Sequence, residues 1–218
     1  MPRSHPKHEE LRRKMVASQL AARGIRDGRV LDAMGNLARE AFLPPNISSR
    51  AYEDRALPVG HGQTISQPYI VALMTELLSL DPTHRVLEIG TGTGYQTAIL
   101  ARLTHHVFSV ERIEPLSTAA AARLRDLGIT NVTLRVGDGT LGWTEHAPFD
   151  RAIVTAAAPS VVQPIVEQLV EGGKLVIPVG DDYSQRLTVI ERHRGKIVEH
   201  PSIAVRFVRL IGQVGFDG

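Results

Sequence analysis

The chain has 218 residues, 43% of them hydrophobic and 22% charged, with a formal charge of +2 and no cysteine. This is ordinary globular usage, long enough for a sizeable core, and it excludes disulfides, a thiol nucleophile and thiolate metal sites. No apolar run approaches the roughly 20 residues that span a bilayer, MPRSHPKHEE lacks the apolar core of a secretory signal, and the small net charge leaves no footprint for nucleic acid. The expectation is a cytoplasmic protein with no membrane or nucleic-acid partner.

In chain order, HEELRRKMVASQLAARG predicts a helix with Leu11, Met15 and Leu20 on one side, stopping at Gly24. A second helix is expected after Asp27 as cap, with Val30, Leu31 and Met34 on one face. FLPPNISSRAYEDRALPVGHGQTIS then reads as an unusually long Pro- and Gly-punctuated loop, the kind that is functional or disordered. QPYIVALMTELLSL predicts a helix with Pro68 in its first turn.

From residue 85 short apolar strands alternate with helical segments. RVLEIG, HVFSVE, VTLRVGD, DRAIVTAA and GKLVIPVG are the strands; TGYQTAILARL, EPLSTAAAARLRDLG and VVQPIVEQLVEGG are the crossovers. That alternation predicts a parallel sheet covered on both faces. RLTVIERH and KIVEHPSIAV around Arg194-Gly195 add a hairpin, closing the sheet with an antiparallel edge. With no repeat or linker, residues 1–218 read as a single domain: a helical extension and loop over about 1–60, and an α/β core over 61–218.

The strongest motif is VLEIGTGTGY, a buried strand running into Gly90, Gly92 and Gly94 at the start of a helix. Ligands of parallel sheets bind beyond such carboxyl ends. Tyr95 and Thr97 stand where a third glycine of a dinucleotide fingerprint would be needed, and no Gly-Lys-Ser/Thr follows, so neither a strict dinucleotide loop nor a Walker loop fits.

Glu88, two residues before the loop, would repel a pyrophosphate but attract an ammonium, unless it is only a solvent-facing acid. Glu111 ends the next strand, where an acid accepts from ribose hydroxyls. Asp138, between Gly137 and Gly139, is placed for an adenine amino group, although alone it reads as a turn-forming Asp-Gly. Jointly the three acids fit an adenosine ligand with a cationic end and no phosphates, S-adenosyl-L-methionine.

Thr155-Ala-Ala-Ala-Pro159 lacks the Asn/Asp-Pro-Pro-aromatic signature of many amino-nitrogen methyltransferases, which tilts against an amine or base acceptor. A carboxylate acceptor is ionised at neutral pH and needs alignment more than a base. The histidines show no ligand spacing, so no metal is expected. In GQTISQPY, Thr64 and Ser66 precede a helix, where hydroxyls either cap it or help to cradle an anion. No nucleophile elbow or triad accompanies them.

ALPVGHGQTISQPYIVALMTELL, RVLEIGTGTGYQTAILA, VFSVERI, NVTLRVGDGTLGW, PFDRAIVTAAAP, EGGKLVIPVG and AVRFVRLIG, in this order, resemble the bacterial protein-L-isoaspartate O-methyltransferases from about residue 10 to 212. The resemblance implies a class I, doubly wound Rossmann-like fold with a seven-stranded, mostly parallel sheet, an antiparallel edge and added N-terminal helices. It implies methyl transfer from S-adenosyl-L-methionine to the α-carboxylate of L-isoaspartyl residues in damaged proteins and peptides. The ester then collapses to a succinimide whose hydrolysis restores some aspartate.

By the same resemblance Ser66 is the active-site residue, and Thr64, Ile65, Ser66 and Gln67 form the substrate loop. Val205, Arg206, Phe207 and Val208 close over the peptide, and Glu88, Gly90, Gly92, Gly94, Glu111, Asp138 and Gly139 hold the cofactor. A monomer is expected. His61, where relatives carry Gln or Glu, and Arg209, where Pro is common, depart from the pattern. Rival readings are a nicotinamide-dependent oxidoreductase, a non-catalytic cofactor-binding module and an RNA methyltransferase.

Overall fold

The computed structural model describes residues 6–217, so the two ends of the expected 1–218 domain lie outside it. The first helix, α1 (Pro6–Lys14), widens into π-helical turns over Met15–Leu20 and closes in a 3-10 turn at Ala21–Arg23, with Gly24 left-handed. Met15 and Leu20, both fully buried, are five positions apart. A π turn, wider than 3.6 residues, brings them to one side where a regular helix would not. Asp27 caps α2 (Gly28–Gly35) as expected, accepting the Arg29 N–H at 2.9 Å.

The stretch expected to be irregular contains an antiparallel hairpin, β1 (Leu57–Gly60) and β2 (Gln63–Ile65), turned at His61 and Gly62. Both turn residues have positive φ, 52° and 69°, the combination a tight type I′ turn requires. Helix α3 (Pro68–Leu77) follows, its N-cap at Gln67 and no side chain capping it. Of the two readings of the Thr64 and Ser66 hydroxyls, capping of this helix is therefore not the one the structure shows.

The main sheet holds β3 (Arg85–Ile89), β4 (His106–Glu111), β5 (Val132–Val136), β6 (Phe149–Val154), β7 (Leu169–Gly180), β8 (Gln185–His193) and β9 (Lys196–Val205). Its order is β5-β4-β3-β6-β7-β8-β9, parallel as far as β7 and antiparallel beyond. The crossovers are α4 (Tyr95–Leu103), α5 (Glu114–Asp126) and the five-residue α6 (Gln163–Glu167). Most of the third expected crossover is thus not helical, and β7 starts four residues before GKLVIPVG. The predicted hairpin turns at Arg194 and Gly195, again with positive φ. Pro201 sits in β9, an edge strand, where a missing N–H is tolerated.

Alternation along the strands divides the core into two layers. Val86, Val107, Ile153 and Val176 join Met15, Phe42, Met74 and Ile99 on one face, whereas Leu87, Phe108, Val154 and Ile177 join Ile165 and Trp143 on the other. The strand order reverses between β3 and β6, so their carboxyl ends diverge into a crevice.

Candidate active site

The crevice opens at Gly90. Its N–H donates to the Val110 carbonyl at 2.8 Å, and its φ of 96° turns the chain out of the sheet. A Cβ there would lie 2.3 Å from the Thr155 hydroxyl oxygen at the end of β6. Gly94, with φ of 86°, is the N-cap of α4, and a Cβ there would come within 3.3 Å of Ala120 on α5. Glycine is needed at both positions for the turn and for close approach.

Glu111 fixes the loop. Its Oε2 accepts the Gly92 N–H at 2.8 Å and its Oε1 the Ile113 N–H at 2.9 Å. Each oxygen keeps a lone pair for a further donor.

Glu88 lies behind the loop, fully buried on the α4 face. The Thr97 and Ser109 hydroxyls both donate to its Oε2 at 2.6 Å, and Thr91 of the loop touches the Ser109 hydroxyl at 2.6 Å. With one hydrogen per hydroxyl and Glu88 ionised, the chain runs from Thr91 to Ser109 to Glu88. Among the described residues Glu88 Oε1 is buried with no partner. Burial pushes the carboxyl up to about 7, against the pull of the two hydroxyls and with help from the Glu111 charge. It is not the solvent-facing acid of the alternative reading.

Asp138 faces inward as well. Its Oδ1 accepts the Thr140 N–H and hydroxyl at 2.8 and 2.7 Å, and its Oδ2 accepts the Gln213 N–H at 2.7 Å. Burial raises this carboxyl, but those hydrogen bonds outweigh it and hold it below the usual range.

A cavity of about 560 Å³ occupies the crevice. Gly90, Gly92, Glu111 and Gly139 line it, as do the whole of Thr64–Gln67 and the segment Val205–Val208. Glu88, Gly94 and Asp138 are not among its lining residues. The Gln67 amide is bonded to the Asp54 carbonyl and carboxylate at 3.0 and 2.8 Å, and Asp54 is paired with Arg23.

The 205–210 segment is fastened at several points. Gln185 exchanges hydrogen bonds with the Phe207 backbone, and Ala157 accepts from Leu210 and donates to Val208. Phe207 and Val208 are partly buried against the two core layers, whereas Arg206 is exposed at the cavity mouth. Of the departures, His61 forms the hairpin turn. Arg209 binds Asp182 of the β7–β8 turn and stacks over Phe216 at 5.3 Å.

Sequence reasoning missed Thr155, Gln185, Asp54 and Arg39. The first three act through contacts between segments distant in sequence, which no local pattern announces. Arg39 is fully buried although charged. Among the described residues no group of three or more His, Asp or Glu could hold a metal ion, and no helix is long and apolar enough to cross a membrane.

The arrangement provides a glycine loop held by a carboxylate, an unsatisfied buried acceptor behind the loop, and a hydroxyl-bearing loop on the same cavity. Residues 10–215 match the family described as protein-L-isoaspartate(D-aspartate) O-methyltransferase. The Pectobacterium carotovorum protein-L-isoaspartate O-methyltransferase is 54% identical over 196 residues, 90% of this chain and 94% of that one. Protein-L-isoaspartate O-methyltransferase 2 of Geotalea uraniireducens is 51% identical over 208 residues, covering 95% and 96%. Among solved structures, a protein-L-isoaspartate O-methyltransferase aligns at a TM-score of 0.84 and 32% identity over 94% of this chain and 67% of that one. A Plasmodium falciparum protein-L-isoaspartate O-methyltransferase in complex with S-adenosyl-L-homocysteine aligns at 0.80 and 28%, covering 94% and 98%. Matched over residues 10–215 and more than half identical to these bacterial relatives along nearly its whole length, the chain belongs to the protein-L-isoaspartate(D-aspartate) O-methyltransferase family.

Proposed function

We propose that the chain performs its family's reaction in this cavity, methylating the α-carboxylate of L-isoaspartyl residues and so starting their repair through a succinimide. The observation that carries the reading is that Ser66 and the Glu111-held glycine loop line one cavity. Glu88, Gly90, Gly92, Gly94, Glu111, Asp138 and Gly139 are the residues we assign to the cofactor, S-adenosyl-L-methionine. They fit it: Glu111 has acceptor capacity for the ribose hydroxyls, and the orphaned Oε1 of Glu88 favours a cationic end nearby. Asp138 and Gly139 support the adenine side by shaping the wall. When bound, the cofactor supplies a methyl group on a sulfonium.

An accepting carboxylate is already ionised at neutral pH, so the protein's work is placement and exclusion of water. Ser66 donates a hydrogen bond that fixes the carboxylate, and Thr64, Ile65 and Gln67 shape its surroundings. Val205, Arg206, Phe207 and Val208 cover the peptide, with Arg206 the exposed cation of that segment that meets substrate, whereas the neighbouring Arg209 is held by Asp182. We read the chain as a single cytoplasmic domain acting as a monomer on isoaspartyl proteins and peptides, with no nucleic-acid or membrane partner. The shared core layer that joins the N-terminal helices to the sheet supports the single domain.

The test is methyl transfer from labelled S-adenosyl-L-methionine to an L-isoaspartyl peptide beside its aspartyl twin. Base-labile ester on the isoaspartyl peptide alone is expected. Cofactor binding with no ester on either would refute the acceptor.

A further inference from the structure

A guanidinium with no solvent and no carboxylate partner needs a reason. Arg39 begins the 3-10 turn Arg39–Phe42 and is fully buried. Its Nε donates to the Ala51 carbonyl at 2.8 Å and its Nη2 to the Ser66 carbonyl at 2.8 Å. The guanidinium carbon lies 4.8 Å from the centre of the Tyr95 ring, and Tyr95 is the first residue of α4, directly after Gly94. Tyr95 is itself buried, lines the cavity and packs edge-on against Phe42 at 5.3 Å.

Three segments therefore meet on one planar cation: the N-terminal wrap at Ala51, the loop that carries Ser66, and the helix that follows the glycine loop. Burial lowers the pKa of Arg39, and what opposes burial is the Tyr95 side chain and, after it, Tyr52, not a carboxylate. Among the described residues Arg39 Nη1 and the Tyr95 hydroxyl, both buried, have no well-aligned hydrogen-bond partner, and each is the polar group that the other faces. An arrangement built for stability alone would favour apolar packing over such a charge. A rigid fork is, in contrast, well suited to hold two carbonyls at a set spacing.

We propose that Arg39 is a positioning residue for methyl transfer, fixing the backbone of Ser66 relative to the glycine loop. The proposal rests on the reading of Ser66 as the residue that binds the acceptor. Arg39 touches neither reactant; it acts through the Ser66 carbonyl on one side and the Tyr95 side chain, ring and hydroxyl together, on the other. Lysine would keep the charge but lose the fork, so its single ammonium cannot hold both carbonyls in the same plane.

The experiment compares wild type, Ser66→Ala and Arg39→Lys at a temperature where each is folded by circular dichroism. It measures kcat and KM on an L-isoaspartyl peptide and the Kd of S-adenosyl-L-homocysteine. Because a displacement of about 1 Å can cost a hundredfold in rate, Arg39→Lys is expected to lower kcat by roughly 10- to 100-fold with the cofactor Kd within about threefold. Partial recovery of kcat by added guanidinium in Arg39→Ala is expected as well.

A folded Arg39→Lys with kcat within about threefold of wild type would overturn the proposal, as would a loss of cofactor affinity equal to the loss in kcat. If the Arg39 variants do not fold, Tyr95→Phe removes only the hydroxyl beside the guanidinium. The same split, with kcat at least about threefold down, is then expected, and an unchanged kcat overturns the proposal. An inactive wild type would instead count against the reading of the acceptor.

Discussion

Glu111 and Gly92 are joined by a 2.8 Å hydrogen bond from the Gly92 N–H to Oε2, while the other oxygen of Glu111 takes the Ile113 N–H. One carboxylate thus sets both the glycine loop and the entry to α5. In Glu111→Gln the amide nitrogen must face one of these two donors, leaving it unpaired. Since a hydrogen bond to a charged group is worth about 1.5–3 kcal/mol, the Kd of S-adenosyl-L-homocysteine should rise roughly 10- to 100-fold by calorimetry. A Kd within twofold of wild type would show that the loop does not depend on this acid.

Glu88 makes folding pH-dependent with a sign opposite to that of most acids. Burial raises its pKa from 4.5 to about 7, so the native state holds a proton that the unfolded state has released. Stability contributed by Glu88 is therefore present below about 4.5 and is lost as pH rises to about 7, on the order of 3 kcal/mol in all. Asp27 and Asp138 have lowered pKa values, so their contribution is lost only as pH falls below about 4, outside this window. Urea unfolding from pH 5 to 8 should show Glu88→Gln gaining on wild type as pH rises. Parallel curves for the two proteins would exclude Glu88 as the cause.

What could be read in advance followed from repetition. Strands β3 to β8 alternate with helices or turns at regular spacing, and burial on both faces makes the parallel strands continuous apolar runs, so VLEIG and VFSV declare themselves. The hairpin of β1 and β2 did not, because strands of four and three residues are too short for a period, and His61 at its turn replaces the usual Asn or Gly. The widening at Met15–Leu20 was hidden because a spacing of five belongs to no standard pattern. Around the cavity, Gly90 and Glu111 could be named from the strand-end motifs, whereas the motif around Ser66 left capping open and only the family resemblance singled that residue out. The inward turn of Asp138 onto Gln213 joins residues 75 positions apart, which only the fold brings together.

Ser66 can be tested with little interference from stability. Helix α3 has no side-chain cap, so Ser66→Ala should leave Tm within about 2 °C, a substitution away from buried networks being worth within about 0.5 kcal/mol. Loss of a donor to a carboxylate should lower kcat/KM for the isoaspartyl peptide by roughly 10- to 100-fold, with cofactor affinity unchanged. Wild-type kinetics would remove the hydroxyl from the mechanism, whereas weakened cofactor binding would place it on the other substrate.

Gly212 tests whether the C-terminal segment is fastened through Asp138. A Cβ at Gly212 would lie 2.1 Å from Asp138 Oδ1 and 2.7 Å from the Thr140 methyl, so an alanine cannot enter without moving the chain. The neighbouring Gln213 N–H is the donor to Asp138 Oδ2, and that bond would be stretched first. Overpacking of this kind costs about 1–3 kcal/mol, which should appear as a lower Tm. The displacement should also travel along the chain to Leu210 and Val208, whose backbones are held by Ala157, and so loosen the cover over the cavity. KM for the peptide should therefore rise severalfold, about as expected when uniform binding is lost, with kcat at saturation changed less. A lower Tm with an unaltered KM would mean that the Asp138 contact stabilises the fold without shaping the cover, and an unaltered Tm would mean that the segment tolerates the shift without strain.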